Sequence, residues 1–152
     1  VNYWLMKSEP EAYSIDDLIQ QPQQTDYWDG VRNYQARNML RDAMKKDDLA
    51  FFYHSNCKVP GIVGIMKIVH QGYPDDTQFD PKSKYYDIKA VPDKPRWYRV
   101  DVKFIEKFPA IIPLTDLKAN PALSQMPLVQ KGNRLSIMPV TEVQWHAILA
   151  MS

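Results

Sequence analysis

Only one cysteine, Cys57, occurs in the 152 residues. No internal disulfide can form, and the expected compartment is a reducing one: the cytoplasm of a bacterial-type cell, or the nucleus if the source is eukaryotic. Glycine is scarce too. The five glycines, at 30, 61, 64, 72 and 132, cannot assemble a phosphate-cradling P-loop or a dinucleotide fingerprint. Three histidines, 54, 70 and 146, stand singly, without the cysteine or carboxylate spacing of a zinc site. No metal and no cofactor is therefore expected. No stretch approaches the ~18 consecutive apolar residues of a membrane span. The opening VNYWLMKSEPE has no basic region followed by an apolar core, so neither a signal peptide nor a membrane partner is expected.

Net charge is nearly absent as well. Nineteen Lys and Arg against eighteen Asp and Glu leave +1, which excludes a protein that holds nucleic acid by bulk charge alone. The balance is uneven along the chain: nine acids and six bases in residues 1–50, seven acids and ten bases in residues 51–110. A modest basic face from the middle of the chain is the functional reading of that shift.

What is present is one domain's length of chain and a globular composition, 45% hydrophobic and 24% charged. Residues 2–7 read as a strand, stopped before Pro10. Ser14 with Asp17 starts a short helix, 15–20, and Asn33 is placed to cap a longer one, 34–45. That second helix carries Arg37, Arg41 and Lys45 as a basic stripe. Between them, DYWDGVRN at 26–33 reads as an aromatic loop with a turn at Asp29-Gly30. Strands 49–53 and 61–69 form a hairpin in which Gly61 and Gly64 suggest a bulge or a close backbone approach.

Residues 72–84 are an irregular excursion, Tyr86, Ile88 and Ala90 alternate as a short strand, and 97–105 alternates better. Residues 114–117 and 120–126 read as helical turns and 134–138 as a strand. Thr141 with Gln144 then makes a capping box for a last helix. Together these predict a mixed α/β domain spanning residues 1–152: a strongly curved, barrel-like sheet of five or six strands flanked by helices.

The chain offers little for catalysis. His54-Ser55-Asn56-Cys57 is the one segment with a base and a nucleophile, but neighbours on an extended chain point to opposite faces. Carboxylate pairs such as Asp16-Asp17 and Asp75-Asp76 suit helix starts and turns. No catalytic residue is assigned. Aromatics, by contrast, are plentiful: four Trp, nine Tyr and five Phe, 12% of the chain. Trp28 lies between Asp26 and Asp29, where a ring wall meets hydrogen-bonding groups, as recognition of an unstacked base requires.

The segments YWLMKSEP (3–10), WDGVRNYQARNML (28–40), FFYHSN (51–56), GIVGI (61–65), DPKSKYYD (80–87) and PLVQKGNRLSIMPVTEVQW (127–145) resemble the EVE domain family. The likeness covers essentially the whole chain. It implies a PUA-like fold related to the YTH domains, and a role as a reader of modified bases, methylated cytosine among them, in DNA or RNA. It also implies that a separate nuclease or other protein could act as partner, since no fused nuclease is present.

By the same likeness, Trp28 is the first aromatic wall, with Tyr73 and Phe79 as candidates for the second. Ser8, Ser55 and Asn56 face the base edge beside Tyr53. Lys7, Arg32 and Arg37 meet phosphates, and Asn33 is a further contact or a helix cap. The function implied is a non-enzymatic module that takes one modified base into an aromatic-lined pocket. The alternatives are a nucleobase-processing enzyme using His54 or Cys57 and a protein-interaction scaffold.

Overall fold

The computed structural model describes residues 1–152. Strand β1, Tyr3–Ser8, sends Trp4 and Met6 to one face of the sheet and Leu5 to the other, the alternation that an extended chain imposes. Helix α1, Ile15–Ile19, starts where Ser14 Oγ accepts from Asp17 N at 3.2 Å and Ser14 N donates back to Asp17 at 2.8 Å. The helix start expected from the Ser14–Asp17 spacing is thus a reciprocal capping box.

The segment expected as a loop at 26–33 begins as strand β2, Thr25–Trp28. Helix α2, Tyr34–Asn38, is shorter than the periodicity suggests. It widens into a π-type turn at Met39–Ala43, where Met44 N donates to Met39 O at 2.9 Å. The backbone of Gly72 is the neighbour there, and a Cβ at that position would collide with Leu40 O.

Strands β3, Leu49–His54, and β4, Gly61–Pro74, form the expected hairpin. Gly64 lies at a register shift against the next strand, and a Cβ there would strike Glu106 O and Ile15. Strand β5, Tyr98–Pro113, outruns its expected end at 105. Pro109 falls in the irregular stretch between the pairs Gly64–Lys107 and Ile62–Ile112, where a missing N–H costs no ladder bond. Residues 86–90 are turns rather than a strand. Asp87 accepts from Lys89 N at 2.9 Å and from Trp97 Nε1 at 2.8 Å, a local alternative to sheet pairing. Helix α3, Leu114–Ala119, strand β6, Ile137–Val140, and helix α4, Glu142–Leu149, complete the chain.

The six strands lie in the order β2-β5-β4-β3-β1-β6, with β1 and β3 parallel and every other neighbouring pair antiparallel. The expectation of a strongly curved, barrel-like sheet is corrected by this order: β2 and β6 are edges that pair with one neighbour each, so the sheet stays open. Strand number and local alternation cannot distinguish open from closed sheets, because closure depends on whether the two outermost strands meet.

Each face of the sheet carries its own core. Trp4, Met6, Phe52, Met66, Ile68, Val100 and Trp28 pack with α1 and α2 on one face. Leu5, Phe51, Tyr53, Ile62, Trp145 and Ile148 pack on the other. The parallel pair β1 and β3 brings Ser8 beside His54 at their carboxyl ends, and ligands of open α/β sheets favour the space beyond such ends.

Candidate nucleic-acid interface

Trp28 closes β2, opposite Val100, and its indole packs edge-on against Phe52 with ring centroids 5.2 Å apart. Only 8% of it is exposed, yet that exposed part borders a cavity of about 420 Å³, within the ~300–1,000 Å³ range of small-molecule pockets. The other walls are Ala12, Tyr13, Tyr27 and Tyr85, with Ser8, Glu9, Asp26, Asp29 and Lys84 as the polar lining.

Gly30 makes this arrangement possible. Its φ of +74° is open to glycine, and the Tyr85 ring occupies the place where a Cβ would stand. The turn and the ring are then braced from behind. Buried Asp75 accepts from Gly30 N at 2.9 Å, from Thr77 N at 2.9 Å and from Arg32 at 3.2 Å. Arg32 also donates twice to Tyr85 O, at 2.8 and 3.2 Å. Burial alone would raise the proton affinity of Asp75, but the bonds from Thr77 and Gly30, with Arg32, outweigh it and hold the carboxyl below the usual range.

The polar lining divides into occupied and available groups. Ser8 Oγ donates to Tyr13 O at 2.6 Å, and Tyr13 donates its hydroxyl to Asp26 at 2.6 Å. Burial, then the Asp26 bond, pushes the Tyr13 phenol well above its ordinary range, so it stays protonated. Lys84 Nζ stands 5.0 Å from the centroid of Tyr85. Asp29 is half-buried in the wall. Burial, reinforced by the Asp75 charge, raises its pKa above the ordinary carboxylate value, and Arg99 opposes the rise.

Of the residues singled out from the sequence, Ser8 and Trp28 line this cavity. Ser55 and Asn56 stand behind it: Ser55 N donates to Ser8 O at 3.0 Å, and Asn56, at φ +50°, donates to Glu9 at 2.7 Å. Arg32 is committed to the brace. Asn33 caps α2 by accepting from Ala36 N at 3.0 Å, and Arg37 donates to Arg96 O at 2.8 Å.

Tyr73 donates to Asp101 at 2.5 Å. Phe79, half-buried, ends the short turn Asp76–Phe79. Both lie outside the lining, which Tyr85 shares with Trp28. Lys7 and Tyr53 line a different cavity, on the opposite face of the sheet. His54 Nε2 accepts from Ile15 N at 3.1 Å, so the ring serves as an anchor for α1.

Glu9, Ala12, Tyr13, Asp26, Tyr27, Asp29, Lys84 and Tyr85 complete the lining and lie outside the site expected from the sequence. A signal for some of them existed, since Asp29 adjoins Trp28 and Lys84-Tyr85 sits inside the DPKSKYYD segment. Nothing in the sequence folds a segment some fifty positions away against Gly30.

The sequence profile described as "EVE domain" matches residues 2–151. This chain belongs to the EVE domain family. As an EVE domain it is 51% identical to thymocyte nuclear protein 1 of Mus musculus, over 99% of this chain and 73% of that protein. A crystal structure of a Pseudomonas syringae protein superposes with a TM-score of 0.94 at 54% identity, covering 98% of each chain. The crystal structure of human THYN1 protein in complex with DNA containing 5-methylcytosine superposes with a TM-score of 0.90 at 47% identity. That match covers 99% of this chain and 97% of the human one.

The cytoplasmic location expected first from Cys57 is corrected by the thymocyte nuclear protein 1 relatives, whose name gives the nucleus, the other compartment that a single thiol allows. A lone thiol separates reducing from oxidising compartments, and cytoplasm and nucleus are both reducing.

Proposed function

We propose that this EVE domain is a DNA-binding reader that takes one modified base, 5-methylcytosine, into the cavity between Trp28 and Tyr85. The observation that carries the proposal is the cavity itself, ring-walled and edged by a carboxyl at Asp29. The human relative held in complex with DNA containing 5-methylcytosine supports the choice of ligand.

The physical division of labour follows from the lining. A flat heterocycle gains ~1–3 kcal/mol from one good aromatic stack, and Trp28, Tyr27 and Tyr85 offer such surfaces. Cytosine presents an N4 amino donor beside an N3 acceptor. An ionised Asp29 accepts from N4. Thymine sets its O4 acceptor against an ionised carboxylate and is rejected. The 5-methyl group adds apolar area worth ~0.8 kcal/mol, so preference over unmodified cytosine should be several-fold.

Fluorescence anisotropy with oligonucleotides carrying 5-methylcytosine, cytosine or thymine at one position tests this reading. Asp29→Ala should weaken binding to the methylated oligonucleotide by the ~1.5–3 kcal/mol of a hydrogen bond to a charged group and narrow the gap to thymine. Equal wild-type affinity for all three oligonucleotides would overturn the proposal.

A further inference from the structure

The second cavity, about 430 Å³, lies at the same end of β1 as the first but on the other face. Its lining includes Lys7, Lys118 and Lys131, with Gln130 and Asn133, and no carboxylate. None of the three ammonium groups belongs to an ion pair in the structure. Lys7 is half-buried with its Nζ 5.7 Å from the Tyr53 ring centroid. In a chain of net charge +1, three unpaired cations around one hollow concentrate a positive potential that an anion would neutralise.

We infer that this hollow seats a backbone phosphate of the same DNA strand whose base enters the first cavity. The inference rests on the reading given under Proposed function. Lys7 and Ser8 are neighbours on β1, and successive side chains of a strand point to opposite faces, so the strand end presents the lysine hollow on one side and the base cavity on the other. A strand of nucleic acid crossing the carboxyl ends of β1 and β3 meets both. Lysines act on phosphate as point charges, and contacts of this kind fix position without reading sequence.

Lys118 and Lys131 are exposed, so Lys118→Ala with Lys131→Ala removes charge without disturbing the core. Affinities for the methylated and the unmodified oligonucleotide, each measured over a range of salt, give the readout. The double variant should weaken both by the same factor and leave their ratio unchanged. It should also make the slope of log affinity against log salt shallower by about one, since a single phosphate contact contributes ~0.9. A control pair of exposed lysines, Lys45→Ala with Lys46→Ala, should leave the slope near the wild-type value.

An unchanged slope in the Lys118/Lys131 variant, or one equal to that of the control pair, would overturn the inference. So would inorganic phosphate binding that is lost in the variant while oligonucleotide affinity is not. If wild type shows no preference for the methylated base, the base-reading proposal fails, and the slopes still decide this site independently.

Discussion

At the scale of single residues, the cavity depends on an atom that is missing. Gly30 adopts φ +74° and leaves room for the Tyr85 ring against its Cα. An alanine there faces the left-handed backbone penalty of ~1–2 kcal/mol and a collision with the ring. Gly30→Ala should therefore lower the thermal midpoint and weaken binding of methylated oligonucleotide. Gly132→Ala separates the two effects. That glycine has a φ of +78° and no neighbour near its Cβ direction, and it lines the lysine hollow rather than the base cavity, so the substitution should cost stability and leave the ratio of methylated to unmodified affinity unchanged. Calorimetry and anisotropy on the two variants check the pair of expectations.

Among elements, the loop after β2, the turn after β4 and the segment carrying Tyr85 are tied together by Asp75 and Arg32, with no direct sheet pairing between them. The pH dependence of that tie has a definite sign. Asp75 is held below its ordinary value of 3.8 when folded, so it contributes stability that is fully present above 3.8 and is lost as pH falls through the depressed folded value. Asp75→Asn should cost about 2–3 kcal/mol at neutral pH, the worth of hydrogen bonds to a buried charged group. The difference from wild type should shrink once pH drops below the carboxylate range. Urea unfolding of both proteins at neutral and acid pH measures it, and a gap that stays constant with pH would contradict the assignment.

This same brace marks the limit of what the sequence discloses. The helix start at Ser14 and the capping box at Thr141 were legible because they depend on residues three apart. The β3–β4 hairpin was legible because turn formers separate two apolar runs. Tyr85 and Asp75 were not, because their roles arise from contacts with Gly30 and Arg32 across more than forty positions. Trp28 could be singled out by its neighbours alone. The Tyr85 ring could not, and Tyr73 and Phe79, named from the resemblance, lie outside the lining.

For the whole molecule, an open sheet with a cavity on each face and a net charge of +1 separates two contributions to DNA binding that highly basic proteins blend. Bulk attraction is small, so affinity for unmodified DNA at physiological salt should fall in the ~10⁻⁴–10⁻⁶ M range of nonspecific binding. The contribution from the base cavity comes from stacking, apolar contact and hydrogen bonds at Asp29, which release few counterions. Affinity for both methylated and unmodified oligonucleotides should then decline together as salt rises, with slopes set by the few phosphate contacts. The ratio between them should stay flat, because the methyl group adds contact area and no charge. Titrations of both oligonucleotides across a salt series test this. A ratio that collapses at high salt would mean that the methyl preference is relayed through the phosphate contacts, and the division of the molecule into a reading face and a holding face would be wrong.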